Sequence, residues 1–170
     1  MNANKSYLVT VEIPYKSNPV KYEIDKKTGL LFVDRIMPTT MFYPTNYGYI
    51  NNTLSSDKDA LDALIITPYP LFYNCIIQCM PIGVLKMSDE KGEDCKILMK
   101  PHDNISEEYC NIQEITDVSQ YLKDQIVFFF ENYKKLDKKK WVKIIGWENK
   151  KSAIKEITLS CERYKKYKSN

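Results

Sequence analysis

Asp57-Lys58-Asp59-Ala60-Leu61-Asp62 is the stretch around which the chain is organised, because it joins an acidic turn to the strand-like run Leu61 to Thr67. Three carboxylates lie so close together that a divalent cation would relieve their repulsion. Hard cations such as Mg²⁺ and Ca²⁺ prefer oxygen ligands, which carboxylates around a bend supply. A calcium hand does not fit, since Asp62 stands where that motif needs Gly and Pro68 where it needs Glu. The competing interpretation is a solvated acidic loop.

A second acidic cluster, Asp89-Glu90-Lys91-Gly92-Glu93-Asp94, lies between the apolar runs Ile82 to Met87 and Ile97 to Met99. It predicts a tight connection between two strands, with carboxylates at both ends. Two acidic loops that face each other need more than one metal ion. A site with several metals and nearby basic residues suits phosphoryl transfer.

The apolar runs are short, and proline and glycine separate them, which favours a small antiparallel barrel that is closed or nearly closed. The turn Lys26-Lys27-Thr28-Gly29 predicts a hairpin. Pro68-Tyr69-Pro70 and Pro81 are expected to separate later strands. The predicted strands are Tyr7 to Ile13, Val20 to Asp25, Leu30 to Ile36, Leu61 to Thr67, Cys75 to Cys79, Ile82 to Met87 and Ile97 to Met99.

The C-terminal part has helical periodicity, interrupted by a strand over Lys140 to Trp147, so the predicted fold class is α+β, mainly β. The first helix is expected to start at a cap formed by Asp117 and to reach Lys135; Asn149 is expected to cap the last helix. Phe128, Phe129 and Phe130 cannot all face one core, so one of them is expected at a subunit contact.

Composition favours one soluble domain spanning residues 1–170, since 170 residues with 44% hydrophobic content can form one core. The formal net charge is only +3, and the C-terminal lysines alternate with apolar residues, which predicts a solvated helix face and no nucleic-acid partner. The sequence shows no signal peptide or membrane-spanning run, so a cytoplasmic protein without a membrane partner is expected. Five cysteines without a C-x-x-C motif argue against a disulfide framework or zinc knuckle.

Several polar residues are candidates for a site, although each also has an ordinary structural interpretation. Glu12 lies near the end of a strand and points either into a cavity or to solvent. Lys21 and Glu23 share one strand face, which normally faces water. The segment Met41 to Ile50 is dense in tyrosine, and its rings either pack in the core or present hydroxyl groups to a phosphate.

Taken together, the chain resembles the soluble family I inorganic pyrophosphatases of bacterial type, over nearly its whole length from Val11 to the last helix. The motifs that carry the resemblance are Val11-Glu12-Ile13-Pro14, Lys21-Tyr22-Glu23, Phe32-Val33-Asp34-Arg35, Phe42-Tyr43-Pro44-Thr45-Asn46-Tyr47-Gly48-Tyr49, the D-x-D-x-x-D loop, Gly83 to Asp89, Gly92 to Lys96 and Phe130 to Lys134.

The resemblance implies an OB-like five-stranded antiparallel barrel with flanking C-terminal helices, usually assembled as a homo-hexamer. It implies a magnesium-dependent hydrolase, an inorganic diphosphatase with several Mg²⁺ ions per active site, that cleaves pyrophosphate into two phosphates. A metal-activated water attacks phosphorus in line, without a covalent intermediate.

The resemblance also assigns roles to individual residues. Asp59 is the base that accepts a proton from water, and Tyr47 is assigned to catalysis and to substrate binding. The metal ligands are Asp57, Asp62, Asp89 and Asp94. The remaining substrate-binding residues are Lys21, Arg35, Tyr133 and Lys134, and the polar lining comprises Glu12, Glu23, Tyr43 and Lys96.

The chain departs from the family within the first acidic loop, where Lys58 and Ala60 replace the usual Gly and Pro. If this position requires a positive φ, Lys58 costs about 1 kcal/mol of backbone strain. Its ammonium either weakens magnesium binding or turns out to solvent.

Two other functions stay open at this stage. A barrel of OB type could bind single-stranded nucleic acid through lysine and tyrosine, although the carboxylate clusters would repel its phosphates. The second alternative is a catalytically weakened relative, as Lys58 and Ala60 suggest.

Overall fold

A computed structural model describes residues 5–25 and 27–169, which form two β-sheets and two α-helices. The strands are β1 (Tyr7–Ile13), β2 (Val20–Ile24), β3 (Leu31–Ile36), β4 (Asn46–Ile50), β5 (Asp62–Ile65), β6 (Ile76–Asp89), β7 (Gly92–Pro101) and β8 (Val142–Asn149). The helices are α1 (Gln120–Asn132) and α2 (Lys150–Ser169), preceded by 3₁₀ turns at Glu107–Tyr109 and Ile115–Asp117.

Five strands close into a ring in the order β1, β4, β5, β7, β6, and β6 pairs again with β1. This ring confirms the predicted barrel. One detail was wrong, because β5 and β7 are parallel, with Ala63 opposite Ile97. The reason is topological: an odd number of strands cannot alternate in direction all the way around a closed ring, so at least one neighbouring pair must be parallel.

Strand β6 is longer than the sequence predicts, because it continues through Pro81 from Ile76 to Asp89. The register shifts between Pro81 and Gly83, so the proline lies at a bulge, where its missing N–H does not break a regular ladder. The long strand pairs with β1, β7 and β8. Strand β6 therefore connects the barrel to β8, a strand outside the ring that leads directly into α2.

Gly48 allows β4 to lie close against β1. A Cβ atom at this position would stand 1.9 Å from the carbonyl oxygen of Thr10, so no other residue fits without moving the backbone. Strand β4 then places Tyr47 and Tyr49 beside β5.

The predicted hairpin forms from β2 and β3, a separate two-stranded sheet. Lys26 lies outside the described residues. At the turn, the Asp25 carboxylate accepts hydrogen bonds from the Lys27 and Thr28 N–H groups, and Gly29 has a φ of +70°. This positive φ explains why glycine ends the turn.

Helix α1 begins after Ser119, whose hydroxyl accepts the Leu122 N–H, and not at Asp117 as predicted. Asp117 instead closes a capping box with Glu114 in the preceding 3₁₀ turn. Phe129 and Phe130 are buried, while Phe128 is 62% exposed.

The predicted cap of α2 is confirmed, since the Asn149 side chain accepts the Ser152 N–H at 3.0 Å. Ala153 and Ile157 of this helix pack in the same core as Val84 and Ile97 of the barrel. Within the described residues, no helix combines the length and the hydrophobicity needed to cross a bilayer.

Candidate active site

One cavity of about 390 Å³ is lined by every site residue that the sequence suggested, although these residues come from widely separated parts of the chain. They belong to β1, β2, β3, β4, β5, β6 and β7, to the segment before β4, to the first acidic loop and to the segment that follows α1. The predicted residues that line it are Glu12, Lys21, Glu23, Arg35, Tyr43, Tyr47, Asp57, Asp59, Asp62, Asp89, Asp94, Lys96, Tyr133 and Lys134.

The inner wall of the cavity, Tyr47, Asp62, Asp94 and Lys96, is built on adjacent barrel strands. Lys96 is only 4% exposed and forms ion pairs with both Asp62 and Asp94, the latter at 2.8 Å. Burial alone would lower the pKa of Lys96, but the two carboxylates outweigh it and raise the pKa well above its usual value. The ammonium therefore stays charged. The Tyr47 ring lies beside it, with its centroid 5.8 Å from Nζ.

The outer loop, residues 55–60, carries Asp57 and Asp59 and is held by its own backbone. The Ser55 N–H donates to the Asp59 carbonyl at 2.6 Å, and the Asp59 N–H donates to the Asp57 carboxylate at 3.1 Å. Both carboxylates are exposed at the rim. Their positions thus depend on a short turn more than on burial.

Lys58 has a φ of +70°, the left-handed conformation that the family's usual glycine would adopt without strain. Its side chain is exposed and is not part of the cavity lining. Lys58 therefore differs from the family's usual glycine in backbone strain, and its side chain adds nothing to the cavity lining.

The β2–β3 hairpin supplies two cations to the cavity lining. Lys21 forms ion pairs with Glu23 and, at 3.7 Å, with Asp34, while Arg35 pairs with Asp34 at 3.0 Å. Asp34 thus holds both cations on the hairpin.

Glu12 connects the hairpin to the barrel, because its carboxylate accepts the Ile24 N–H at 3.2 Å. The side chain is buried in the cavity wall, as the first of its two interpretations predicts. Burial raises the pKa of Glu12 to about 7, although the hydrogen bond from Ile24 opposes this shift.

Tyrosine rings form a packed support beneath the cavity. Tyr43 lies 4.7 Å from the Phe129 ring, and Tyr133 stacks on the same ring at 5.3 Å between centroids. Burial raises the pKa of Tyr43 and Tyr47, so their hydroxyl groups stay protonated. These tyrosines can therefore act as hydrogen-bond donors.

Lys134 is 6% exposed and pairs with Asp89 at 2.7 Å and with Glu90 at 3.2 Å. It follows directly after Tyr133, so α1 carries an aromatic ring and a buried cation to the site together.

Sequence reasoning assigned no role to several further polar residues in the cavity lining. Glu90, Lys91 and Glu93 belong to the acidic cluster already recognised, and Asp34 lies within a motif of the resemblance, so local signals existed. Only the tertiary contacts show which side chains these residues meet. The additional polar residues are Asp34, Tyr49, Glu90, Lys91, Glu93 and Lys140.

The acidic side of the cavity offers carboxylate oxygens, which suit magnesium and not softer metals. Across residues 5–25 and 27–169, no three acidic, His or Cys side chains converge closely enough to enclose an ion. The Lys96 ammonium instead bonds Asp62 and Asp94, and Lys134 bonds Asp89. The carboxylate oxygens are suitable ligands for magnesium, and the two lysines balance part of the negative charge of the carboxylates.

Comparisons with known proteins show which family the chain resembles. Residues 9–165 match the family model described as inorganic pyrophosphatase. The chain is 58% identical over 156 residues to the inorganic pyrophosphatase of Wigglesworthia glossinidia brevipalpis, with 91% of this chain and 87% of that protein covered. It is 56% identical over 157 residues to that of Escherichia coli strain K12, with coverages of 92% and 89%. The solved inorganic pyrophosphatase from Coxiella burnetii is 44% identical, with a TM-score of 0.92 and coverages of 96% and 99%.

Proposed function

The chain belongs to the family I inorganic pyrophosphatases, and we propose that the cavity described above is where it hydrolyses pyrophosphate to two phosphates. The enzyme belongs to a magnesium-dependent family. The observation that carries the proposal is the meeting of five aspartates with three lysines and one arginine around one cavity: Asp57, Asp59, Asp62, Asp89, Asp94, Lys21, Lys96, Lys134 and Arg35.

Asp57, Asp62, Asp89 and Asp94 are the residues that would hold several magnesium ions. Their oxygen atoms are the ligands that this hard cation prefers. Bound there, magnesium supplies Lewis-acid activation of water and neutralises charge on the phosphates.

Asp59 accepts the proton of the attacking water. Its carboxylate is exposed at the rim of the cavity, where water reaches it, and the turn of the outer loop fixes its backbone. General-base assistance of this kind requires a carboxylate that stays ionised and lies within hydrogen-bond reach of water. The Tyr47 hydroxyl donates a hydrogen bond to a substrate oxygen.

Lys21, Arg35, Tyr133 and Lys134 hold the phosphate oxygens and stabilise the charge that develops on the departing phosphate. They stand on two sides of the cavity, on the hairpin and after α1. Positioning of this kind allows water to attack phosphorus in line, without a covalent intermediate. The reaction leaves the chain's side chains unmodified after each turnover.

The proposal is tested by measuring phosphate release from pyrophosphate across a magnesium titration, together with calorimetric magnesium binding. Exchange of Asp57, Asp62, Asp89 or Asp94 for Asn is expected to weaken magnesium binding and to lower turnover. Asp124→Asn, on the exposed side of α1, is the matched control. Normal magnesium binding in all four site variants would contradict the assignment of ligands.

We also propose that the chain assembles as a homo-hexamer. Phe42 and Phe128 are 55% and 62% exposed, and both line an apolar cleft of about 450 Å³ together with Met41 and Pro44. Burial of these rings against another copy would remove apolar surface from water. Light scattering on the wild type and on Phe128→Glu tests this assembly. The cytoplasmic location and the extent of the domain stay predictions.

A further inference from the structure

Glu90 lies in the tight turn between β6 and β7 and contacts two parts of the segment that follows α1. Its carboxylate accepts hydrogen bonds from Lys134 Nζ, at 3.2 Å to Oε2 and 3.4 Å to Oε1. The same Oε2 accepts the backbone N–H of Trp141 at 3.4 Å. One side chain therefore joins the two ends of the segment 134–141, which we name the lysine loop.

The two buried lysines of the cavity differ in the partners that they have. Lys96 pairs with Asp62 and Asp94, and both of these are proposed magnesium ligands. Lys134 pairs with Asp89, a third proposed ligand, and with Glu90, which has no such role. When magnesium engages Asp89, Lys134 therefore still has one carboxylate partner.

A remaining partner is important because Lys134 is almost fully buried. A buried ammonium without a counter-charge is strongly unfavourable and tends to move towards water or lose its proton. Lys134 must stay charged and in place to hold a phosphate oxygen. Glu90 is anchored on the strand turn and meets both ends of the lysine loop, so it can fix this lysine independently of Asp89.

We propose that Glu90 is a positioning residue, the permanent counter-anion that holds Lys134 and the lysine loop in place while Asp89 is engaged by magnesium. This inference rests on the proposed function, since it takes Asp89 as a ligand and Lys134 as a substrate contact. It adds a division of labour between neighbouring carboxylates: Asp89 exchanges its partner during the reaction, and Glu90 does not.

Glu90→Gln removes the charge but keeps a side chain that accepts hydrogen bonds. If Glu90 only contributed negative charge, its loss would reduce repulsion of pyrophosphate and lower KM. Because Glu90 positions Lys134, we expect kcat to fall about tenfold and KM to change by less than about threefold. Glu90→Asp, which restores the charge, should recover part of the lost kcat.

Glu93→Gln is the matched control for charge. It removes a carboxylate from the same cavity lining, and in the described part of the chain Glu93 forms no ion pair with Lys134 and no hydrogen bond with Trp141. A fall in kcat in Glu90→Gln that exceeds the change in Glu93→Gln supports positioning. Equal changes in the two variants would overturn it.

Trp141 provides a readout that does not depend on turnover. The side chain is 51% exposed, and replacing the second tryptophan by Trp147→Phe leaves Trp141 as the single tryptophan, which can be excited selectively over the tyrosines. With Glu90 present, we expect saturating magnesium to leave the acrylamide quenching of Trp141 unchanged. In Glu90→Gln, magnesium should increase quenching because the lysine loop loosens once Asp89 is engaged; no increase would contradict the proposal.

Asp89→Asn separates failure of this inference from failure of the proposed function. Normal magnesium binding and turnover in Asp89→Asn would remove Asp89 from its assigned role and the proposed function would need revision. If Asp89→Asn is impaired but Glu90→Gln behaves like Glu93→Gln, the proposed function stays intact. Only the role of Glu90 is then rejected.

Discussion

The inner wall and the outer loop both supply carboxylates to one cavity, but different interactions hold them in place. Asp62 and Asp94 stand on barrel strands against the buried Lys96. Asp57 and Asp59 are exposed, and hydrogen bonds within the outer loop position them, from the Ser55 N–H to the Asp59 carbonyl and from the Asp59 N–H to the Asp57 carboxylate. The difference shows that one site can combine carboxylates fixed by tertiary packing with carboxylates fixed by a local turn.

Removing one carboxylate from each region should separate activity from stability. We expect Asp62→Asn and Asp59→Asn each to lower kcat by about a hundredfold or more, since one loses a metal ligand and the other the base. Only Asp62→Asn should also lower the free energy of unfolding, because the buried Lys96 then loses one of its two carboxylate partners. Phosphate release and urea denaturation measure the two effects.

Near-normal turnover in either variant would remove that residue from its role. An equal loss of stability in both variants would show instead that the outer loop is as firmly packed as the inner wall.

Removing the cation of the inner wall tests how its carboxylates are stabilised. Lys96→Met leaves Asp62 and Asp94 without their shared ammonium and should cost roughly 3 kcal/mol of unfolding free energy in the absence of metal. Magnesium should restore part of the lost free energy of unfolding, because the bound cation then neutralises the Asp62 and Asp94 carboxylates in place of the ammonium. The measurement is urea denaturation with EDTA and with saturating magnesium.

Lys100→Met is the control, since Lys100 is also fully buried but pairs with Asp103 outside the cavity. Magnesium should restore no stability there. Equal magnesium effects in the two variants would contradict the expected ion site beside Lys96.

Glu12 links the inner wall to the hairpin and makes stability depend on pH. Burial raises its pKa from 4.5 to about 7, so between these values the folded state binds more protons than the unfolded state. The contribution of Glu12 to the free energy of unfolding is therefore fully present below pH 4.5 and is lost as the pH rises to about 7. In urea denaturation without metal, the free energy of unfolding of Glu12→Gln should not fall over this pH range. A fall equal to that of the wild type would show that another group causes the pH dependence.

The smallest effect is expected within the outer loop at Lys58. Lys58→Gly relieves the left-handed strain and should stabilise the fold by at most about 1 kcal/mol, because glycine also increases the entropy of the unfolded chain. Turnover should change by less than about twofold, since Lys58 does not line the cavity. Thermal unfolding and phosphate release measure both.

Asn52→Gly is the control for this strain, because Asn52 has a φ of +60° and asparagine tolerates that conformation better than lysine. A sharp rise in activity for Lys58→Gly would support the weakened-relative hypothesis instead.

The barrel and the two C-terminal helices could be predicted from short apolar runs, turn residues and helical periodicity. The exceptions have physical causes. Pro81 looked like a break, yet a bulge accommodates it within β6. Asp117 looked like a cap of α1, but Ser119 stands one residue before the helix and provides the closer acceptor.

The two acidic loops, several polar strand residues and the tyrosine-rich segment were recognised from the residues themselves, and the resemblance assigned roles within them. The cavity brings all the candidate residues together, and their individual roles stay predictions. Asp34 and Glu90 lay within recognised motifs but received no role, because the local pattern did not show which side chains they meet. The contact of Asp34 with Lys21 across the hairpin and that of Glu90 with Lys134 exist only in the folded chain.

The sequence by itself determined the residue types of the site, the turn that presents Asp57 and Asp59, and the alternation of short strands with glycine and proline. These properties depend on neighbours along the chain. The tertiary structure decided which distant charges meet, because the pairing of β5 with β7 brings Asp62 to Lys96, and the segment after α1 brings Lys134 to Asp89 and Glu90. Coulombic compensation depends on distance through space, which residue order does not specify.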